Sequence, residues 1–265
     1  MTAPLFHLGP GALDHAEPGA TVEVTGAEGH HAATVMRLGT GEPIVLSDTR
    51  SRRVDGVVIR AGTGELTVQV RTVQDEQVRP PRLVLVQALA KDKRDLQAVE
   101  SATELGVDAI IPWEAARSVA RWKPGREVKK HAEWVSTVRS AAKQTRRTAI
   151  PEVRELHTTA QYCQLLQRSP TAAAVALHEV DHTPLRSVLA ELALTDLTAL
   201  PTEPEITELY LLVGPEGGIS TGELQQLTAA GTLTARLGPT VLRSSTAGPA
   251  AIAATQLLLG RWDQP

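Results

Sequence analysis

The sequence predicts an α/β protein whose larger part is a parallel sheet, preceded by a small β-barrel. Three observations carry this. From residue 83 onward, short apolar runs alternate with helical patterns, the rhythm of a parallel sheet built from βαβ units. Residues 1–73 carry only short β-like runs broken by glycines, which suggests a small barrel. Between them lies QDEQVRPPR (residues 74–82), polar and holding Pro80-Pro81, which suits neither a helix interior nor a central strand. A boundary there divides the chain into domains 1–75 and 76–265.

In order, the first strands are expected at Thr21–Val24, Pro43–Ser47, Val54–Arg60 and Glu65–Val73. Leu83–Leu89 is the next strand, KDKRDLQAVESATELG a helix, and Val107–Pro112 a strand. Leu96, Val99 and Thr103 share one helical face, and Gly106 sits where a C-cap glycine belongs. A long helix follows, with Trp134, Val138, Ala141 and Thr145 as its buried face. Thr171–Leu177 and Leu209–Val213 are apolar strands, and 195–208 is a polar, proline-bearing surface loop. Ser220 and Glu223 have the spacing of a capping box and mark a helix start. Leu233–Leu237 is a further strand, and a final helix of small residues begins after Leu-Arg-Ser-Ser.

Composition narrows the class. Hydrophobic residues make up 42% of the 265 but aromatics only 3%, so Ala, Val and Leu must fill the core. A single cysteine, Cys163, excludes an internal disulfide and fits a reducing compartment. The net charge of −3 hides an asymmetry: residues 77–154 carry 16 Lys and Arg against 9 Asp and Glu, and both flanking segments are acidic. Such a basic stretch suits a phosphate-rich partner; the alternative is a solvated helical face. No basic leader with an apolar core opens the chain, and no apolar run approaches the roughly 20 residues needed to cross a bilayer. A cytoplasmic location without membrane contact is expected.

Two glycine-bearing loops lie near the carboxyl terminus, GPEGG after Leu209–Val213 and LGPTVLRSS after the following strand. Gly214, Gly217 and Gly218 let backbone approach a ligand closely. Loops at the carboxyl ends of neighbouring strands are where open α/β sheets bind small molecules. Neither G-x-G-x-x-G nor G-x-x-x-x-G-K-[ST] is present, which argues against a dinucleotide or nucleoside triphosphate. His178–His182 spells H-E-x-x-H, but a strand precedes it and Pro184 follows, so the two histidines do not share a helical face and no metal is expected.

LLVGPEGGIS followed by LGPTVLRSSTAGPAAIAA resembles the C-terminal signature of SPOUT-class methyltransferases, and in particular the family that methylates N3 of a uridine in 16S ribosomal RNA. The resemblance implies a SPOUT-type parallel sheet with a C-terminal trefoil knot, a PUA-like β-barrel at the amino end, a homodimer, and S-adenosyl-L-methionine (SAM) as methyl donor. It implies 16S ribosomal RNA, free or in the assembled small subunit, as partner. Two positions depart from the family pattern: Ser245 replaces the Glu of L-R-x-E-T-A, and Lys143-Gln144 replaces a Glu-Gln pair. No acidic role is carried over to them.

On this resemblance Val213, Gly214, Gly218, Leu237, Gly238 and Leu242 are the cofactor-binding candidates, holding an adenosine mainly by backbone. His31 and Arg37 of an H-x-x-x-V-M-R stretch, Lys91, Lys93 and Arg94 past a strand end, and Gln144 and Arg147 are candidate RNA contacts. Each also has a bland reading as an exposed helix end or a charge offsetting a helix dipole. Uracil N3 carries a proton that must leave before the nitrogen can attack, so a base or an anion-stabilising cation is needed. Glu216, the acid of the first loop, and Arg243, the cation of the second, are the catalytic candidates. A ribose 2′-O-methyltransferase of the same class and a non-catalytic RNA-binding protein remain as alternatives.

Overall fold

The computed structural model describes residues 3–77, 79–195 and 205–263. Most of the expected 195–208 loop lies outside the described residues. The chain separates into two compact units, Met1–Val78 with Ala142–Ile150, and Arg79–Ala141 with Pro151–Pro265.

The first unit is built on a five-stranded mixed sheet. Its strands are β1 (Leu5–His7), β2 (Thr21–Val24), β3 (Pro43–Ser47), β4 (Arg52–Gly62) and β5 (Glu65–Asp75), ordered β1-β3-β4-β5-β2. β1 runs parallel to β3 and the other pairs are antiparallel. Register shifts at Asp55/Gly56 and Val58/Arg60 give the long β4–β5 pair the irregularities that bend a sheet. Inward-facing Val54, Val58, Leu66, Val68 and Val70 alternate along these strands and pack with Phe6 and Leu46. Helix α1 (Gly26–His30) runs directly into a π-helical turn, His31–Val35.

Residues 142–150 belong to this unit because their backbone is tied to it. Ser47 Oγ donates to Thr148 O at 2.6 Å, the Ile150 amide donates to Thr49 O at 3.0 Å, and His7 Nε2 lies 2.8 Å from Arg147 O.

The second unit is a seven-stranded, all-parallel sheet with helices. In chain order its elements are β6 (Arg82–Ala88), α2 (Arg94–Glu104), β7 (Ala109–Glu114), α3 (Glu127–Gln144, whose end from Ala142 counts with the first unit), β8 (Glu152–Val153), β9 (His157–Thr158), α4 (Thr159–Gln167), β10 (Ala172–Leu177), α5 (Leu185–Glu191), β11 (Glu208–Val213), α6 (Thr221–Ala229), β12 (Leu233–Ala235) and α7 (Ser244–Leu258). The sheet order is β12-β10-β11-β6-β7-β8, with β9 also paired to β7. The central strands are buried on both faces, as the apolar runs LVLV and LYLLV require of a covered parallel sheet.

The small residues of α7 are used within this unit: Gly248, Ala251, Ile252 and Thr255 are buried where the helix packs on α2, β6 and β11. A Cβ on Gly248 would stand 3.0 Å from Leu85 and 3.1 Å from Gln87 Oε1, so the helix lies almost against the strand. Among the described residues no helix is long and apolar enough to cross a membrane.

One expected core position is corrected. Trp134, Val138 and Ala141 are buried on α3, but Thr145 is exposed, because the helix ends at Gln144 and Arg146 takes a left-handed φ of 57° that turns the chain away.

Candidate active site

The two edges of the parallel sheet differ in how their polar groups are satisfied. At the amino-terminal edge, Arg154 pairs with Glu208 and with the Tyr210 hydroxyl, and burial together with the Glu208 bond pushes Tyr210 up to about 12. These groups answer one another. At the carboxyl edge, Leu177 of β10 is in register with Val213 of β11 on one side and with Ala235 of β12 on the other. The three loops that follow therefore leave side by side, and they enclose a cavity of about 630 Å³.

All six cofactor candidates, Val213, Gly214, Gly218, Leu237, Gly238 and Leu242, line this cavity. The first loop is compact: the Gly218 amide donates to Pro215 O at 2.8 Å, and Gly218 needs its φ of 69° to close the turn. The second loop is different. Among the described residues, no hydrogen bond reaches any backbone group of residues 237–242. Such a row of free donors and acceptors beside an apolar wall of Val213, Leu237 and Leu242 fits a nucleoside-like group held by backbone.

Arg243 and Glu216 also line the cavity. Arg243 is the exposed N-cap of α7. Glu216 accepts the Lys91 amide at 3.0 Å and pairs with Arg94 at 3.5 Å, which ties the first glycine loop to the turn between β6 and α2. Lys91 and Lys93 are exposed in that turn, where Asp92 and Lys93 both take left-handed φ values; of the three basic candidates there, only Arg94 reaches the cavity wall.

Glu216 and Arg243 are not the cavity's only charged groups, as the loop sequences alone implied. Arg94, Arg117 and Arg236 add cations, and His178 and Glu179 add a base and an acid. Arg117 donates to Gly217 O at 3.0 Å from a hundred residues away. Its sole sequence signal is membership of the basic stretch. His178 and Glu179, noticed as half of a metal motif, lie in the turn after β10, and the His178 amide donates to Ala235 O at 2.9 Å. The second histidine, His182, does not line the cavity, and no group of three or more metal-ligating side chains occurs among the described residues.

The remaining RNA candidates sit in the first unit. Lys143 explains itself there: its ammonium lies 2.7 and 2.9 Å from the two Glu28 oxygens, 3.2 Å from His31 Nδ1, and 5.6 Å from the Phe6 ring centroid. The positive side chain has an acid of its own on α1. His31 stacks edge-on against Phe6 and is half-buried; Arg37 is exposed in a left-handed turn, φ 57°. Gln144 is exposed at the end of α3, and Arg147 is half-buried just beyond it.

A family model described as an RNA methyltransferase domain matches residues 78–256, and one described as an RNA methyltransferase PUA domain matches residues 24–71. The ribosomal RNA small subunit methyltransferase E of Mycobacterium tuberculosis is 43% identical over 250 residues, 93% of this chain and 90% of its own. The Bacillus subtilis protein of the same name is 27% identical over 249 residues, 92% of this chain and 94% of its own. The crystal structure of the Neisseria gonorrhoeae protein of that name, bound to S-adenosyl methionine, superposes with a TM-score of 0.77 at 25% identity, covering 97% of this chain and 98% of its own. A cavity walled by two backbone-rich loops at the carboxyl edge of a parallel sheet, with relatives matched along nearly the whole chain, establishes that the protein belongs to the RNA methyltransferase family that includes the ribosomal RNA small subunit methyltransferases E.

Proposed function

We propose that the protein methylates N3 of one uridine in 16S ribosomal RNA with SAM as donor. The observation that carries this reading is the cavity at the carboxyl edge, one side of which is backbone of residues 237–242 that has no partner among the described residues. Its volume falls in the range of small-molecule sites, roughly 300–1,000 Å³. When bound, SAM supplies an electrophilic methyl on a sulfonium, so no metal is needed to activate the leaving group.

The chain's own residues would bind and orient. Val213, Leu237 and Leu242 provide the apolar wall, Gly218 and Gly238 admit the nucleoside close to backbone, and Gly214 lets the loop fold on itself, since a Cβ there would stand 2.8 Å from Ile219. Glu216 holds Arg94 at the rim and fixes the first loop. Arg243, exposed at the start of α7, meets the target base. The exposed Lys91 and Lys93, with His31, Arg37, Gln144 and Arg147, would steer and grip the RNA backbone, whose phosphates dominate affinity. The substrate is 16S RNA, free or in the assembled small subunit, which places the protein in the cytoplasm.

The trefoil knot and the homodimer belong to the same proposal. β12 is the outermost strand beside β10, yet α7 packs on β11, β6 and α2. The 236–243 segment links edge strand β12 to a helix packed on β11 and β6, a crossing that supports the knot. Leu257 and Trp262 remain exposed at the far end of α7, 57% and 50% accessible, and would bury against a second copy. Sedimentation at micromolar concentration should give twice the monomer mass; a monomer would refute the dimer.

The activity has a direct test. A methyl on N3 blocks the pairing edge of uracil and stops reverse transcription. Incubating the protein with SAM and unmethylated 16S RNA or small subunits should create one stop, and nucleoside mass analysis should show N3-methyluridine. A 2′-O-methyl nucleoside, or no product with either substrate, would sink the reading.

A further inference from the structure

Four side chains of the first unit meet at the turn that follows α1. Glu28 on α1 and His31, the first residue of the π-helical turn, are three apart and share a face. Lys143, which counts with this unit, sets its ammonium against both, 2.7 and 2.9 Å from the Glu28 carboxylate oxygens and 3.2 Å from His31 Nδ1. Phe6 of β1 lies edge-on to the imidazole at 5.8 Å and beneath the ammonium at 5.6 Å, which fixes the plane of the ring.

This geometry decides which ring nitrogen carries the proton. An ammonium has three donors and no acceptor. Its contact with Nδ1 is a hydrogen bond only if Nδ1 offers a lone pair, so the proton of the neutral ring sits on Nε2. A proton on Nδ1 would instead face a positive charge 3.2 Å away.

Nε2 is the half of the ring that the first unit leaves unanswered. It has no partner among the described residues and is not among the buried polar atoms that lack one. The ring is half-buried in a turn whose next members, Thr34, Val35, Met36 and Arg37, are exposed. Glu28, the acid of α1, is already held by Lys143 and adds no open negative charge. A fixed N–H donor at such a surface suits an acceptor oxygen of a nucleic acid.

Resting on the ribosomal RNA reading above, we infer that Lys143 is a positioning residue: it locks His31 in the Nε2–H tautomer, and that N–H donates to an acceptor oxygen of the RNA substrate. The lysine serves RNA binding through the histidine rather than as a phosphate contact, because its own charge is answered by Glu28.

The tautomer is read on the wild-type protein. Long-range 1H–15N spectra of histidine-labelled protein, with His31→Gln identifying the resonances, should show His31 unprotonated at Nδ1 and protonated at Nε2. Glu28→Gln combined with Lys143→Met removes the clasp and leaves no charge behind. In that variant the Nδ1 signal should move towards the value of a ring in free tautomer exchange. A wild-type ring protonated at Nδ1, or a ring unchanged by the double substitution, overturns the lock.

Binding of 16S RNA reads the donor. His31→Gln keeps an N–H near the place of Nε2 and should bind within about twofold of wild type. His31→Ala should bind about 3- to 10-fold more weakly, the effect of one hydrogen bond. Its slope of log affinity against log salt should not change, because a neutral donor releases no counterion. The double variant should also bind severalfold more weakly with the same slope. A slope shallower by about 0.7–0.9 there would make Lys143 a phosphate contact and overturn its positioning role. Equal losses in His31→Ala and His31→Gln would mean that the ring packs without donating, which overturns the contact. If His31→Ala loses the same factor on two unrelated sequences, the oxygen belongs to the RNA backbone; a loss confined to 16S RNA assigns it to a base. Wild-type protein that neither binds nor methylates 16S RNA would overturn the underlying reading instead, while the spectra still judge the lock.

Discussion

Gly238 takes φ +80° in the loop whose backbone has no partner among the described residues, and a Cβ there would meet nothing within 4 Å. The cost of Gly238→Ala is therefore conformational, about 1–2 kcal/mol of left-handed strain. Because the strain falls on the loop proposed to hold the nucleoside, SAM affinity should drop about tenfold while the melting temperature changes little; calorimetry with unchanged affinity would remove this loop from the site. Arg243→Ala should do the opposite, lowering methylation at least tenfold with SAM affinity retained, because its side chain is proposed to face the base. The glycines and Arg243 were legible in the sequence because a loop's conformational needs are written in neighbouring residues. The Glu216 pairing with Arg94 was not, nor the Arg117 bond to Gly217 O, since those partners lie more than 90 residues away.

At the scale of elements, α6 shows how a helix start doubles as a brace. Ser220 and Glu223 form the expected capping box, and Glu223 also accepts the Ala116 amide at 2.7 Å and the Thr159 hydroxyl at 2.7 Å. Burial alone would raise the Glu223 carboxyl, but the bonds from Ala116, Thr159 and Ser220 outweigh it and hold it below the ordinary range. A depressed carboxylate stabilises the fold above its unfolded pKa, roughly 4.3, and loses that contribution as pH falls through the folded value. Glu223→Gln should therefore melt below the wild type at pH 7, and the gap should narrow in melts taken below about pH 4. A gap independent of pH would mean that packing rather than charge is lost. The strand cores were legible here to within two residues, because their apolar runs are local signals. A second capping box, Thr158 with Gln161, has the same spacing and went unread because only two short strands precede it. Thr145 was misplaced because a helical period says nothing about where a left-handed residue will end the helix.

Over the whole molecule, charge is concentrated rather than abundant. If the 16 basic residues of 77–154 serve RNA, binding should weaken steeply with salt. Neutralising five phosphates gives a slope near −4.5 in log affinity against log salt for a duplex, and about −3.5 for single strands. Filter binding of 16S RNA from 50 to 200 mM salt should show a slope at least that steep; a flat response would return the basic stretch to a solvated face.

The sequence by itself determined that two kinds of β structure follow one another, where the strands other than β1, β8 and β9 lie, and that two backbone-rich loops end two of them. Those are consequences of side-chain period, glycine and proline, all read within a few residues. Only the tertiary structure decided the order β12-β10-β11-β6, which sets three loops side by side, and the inclusion of residues 142–150 in the first unit. It also placed Arg117 in the cavity wall, bonded to Gly217 O. Parallel strands pair across long crossovers, and a wall residue a hundred positions away is set there by the fold, so neither is written in any local stretch.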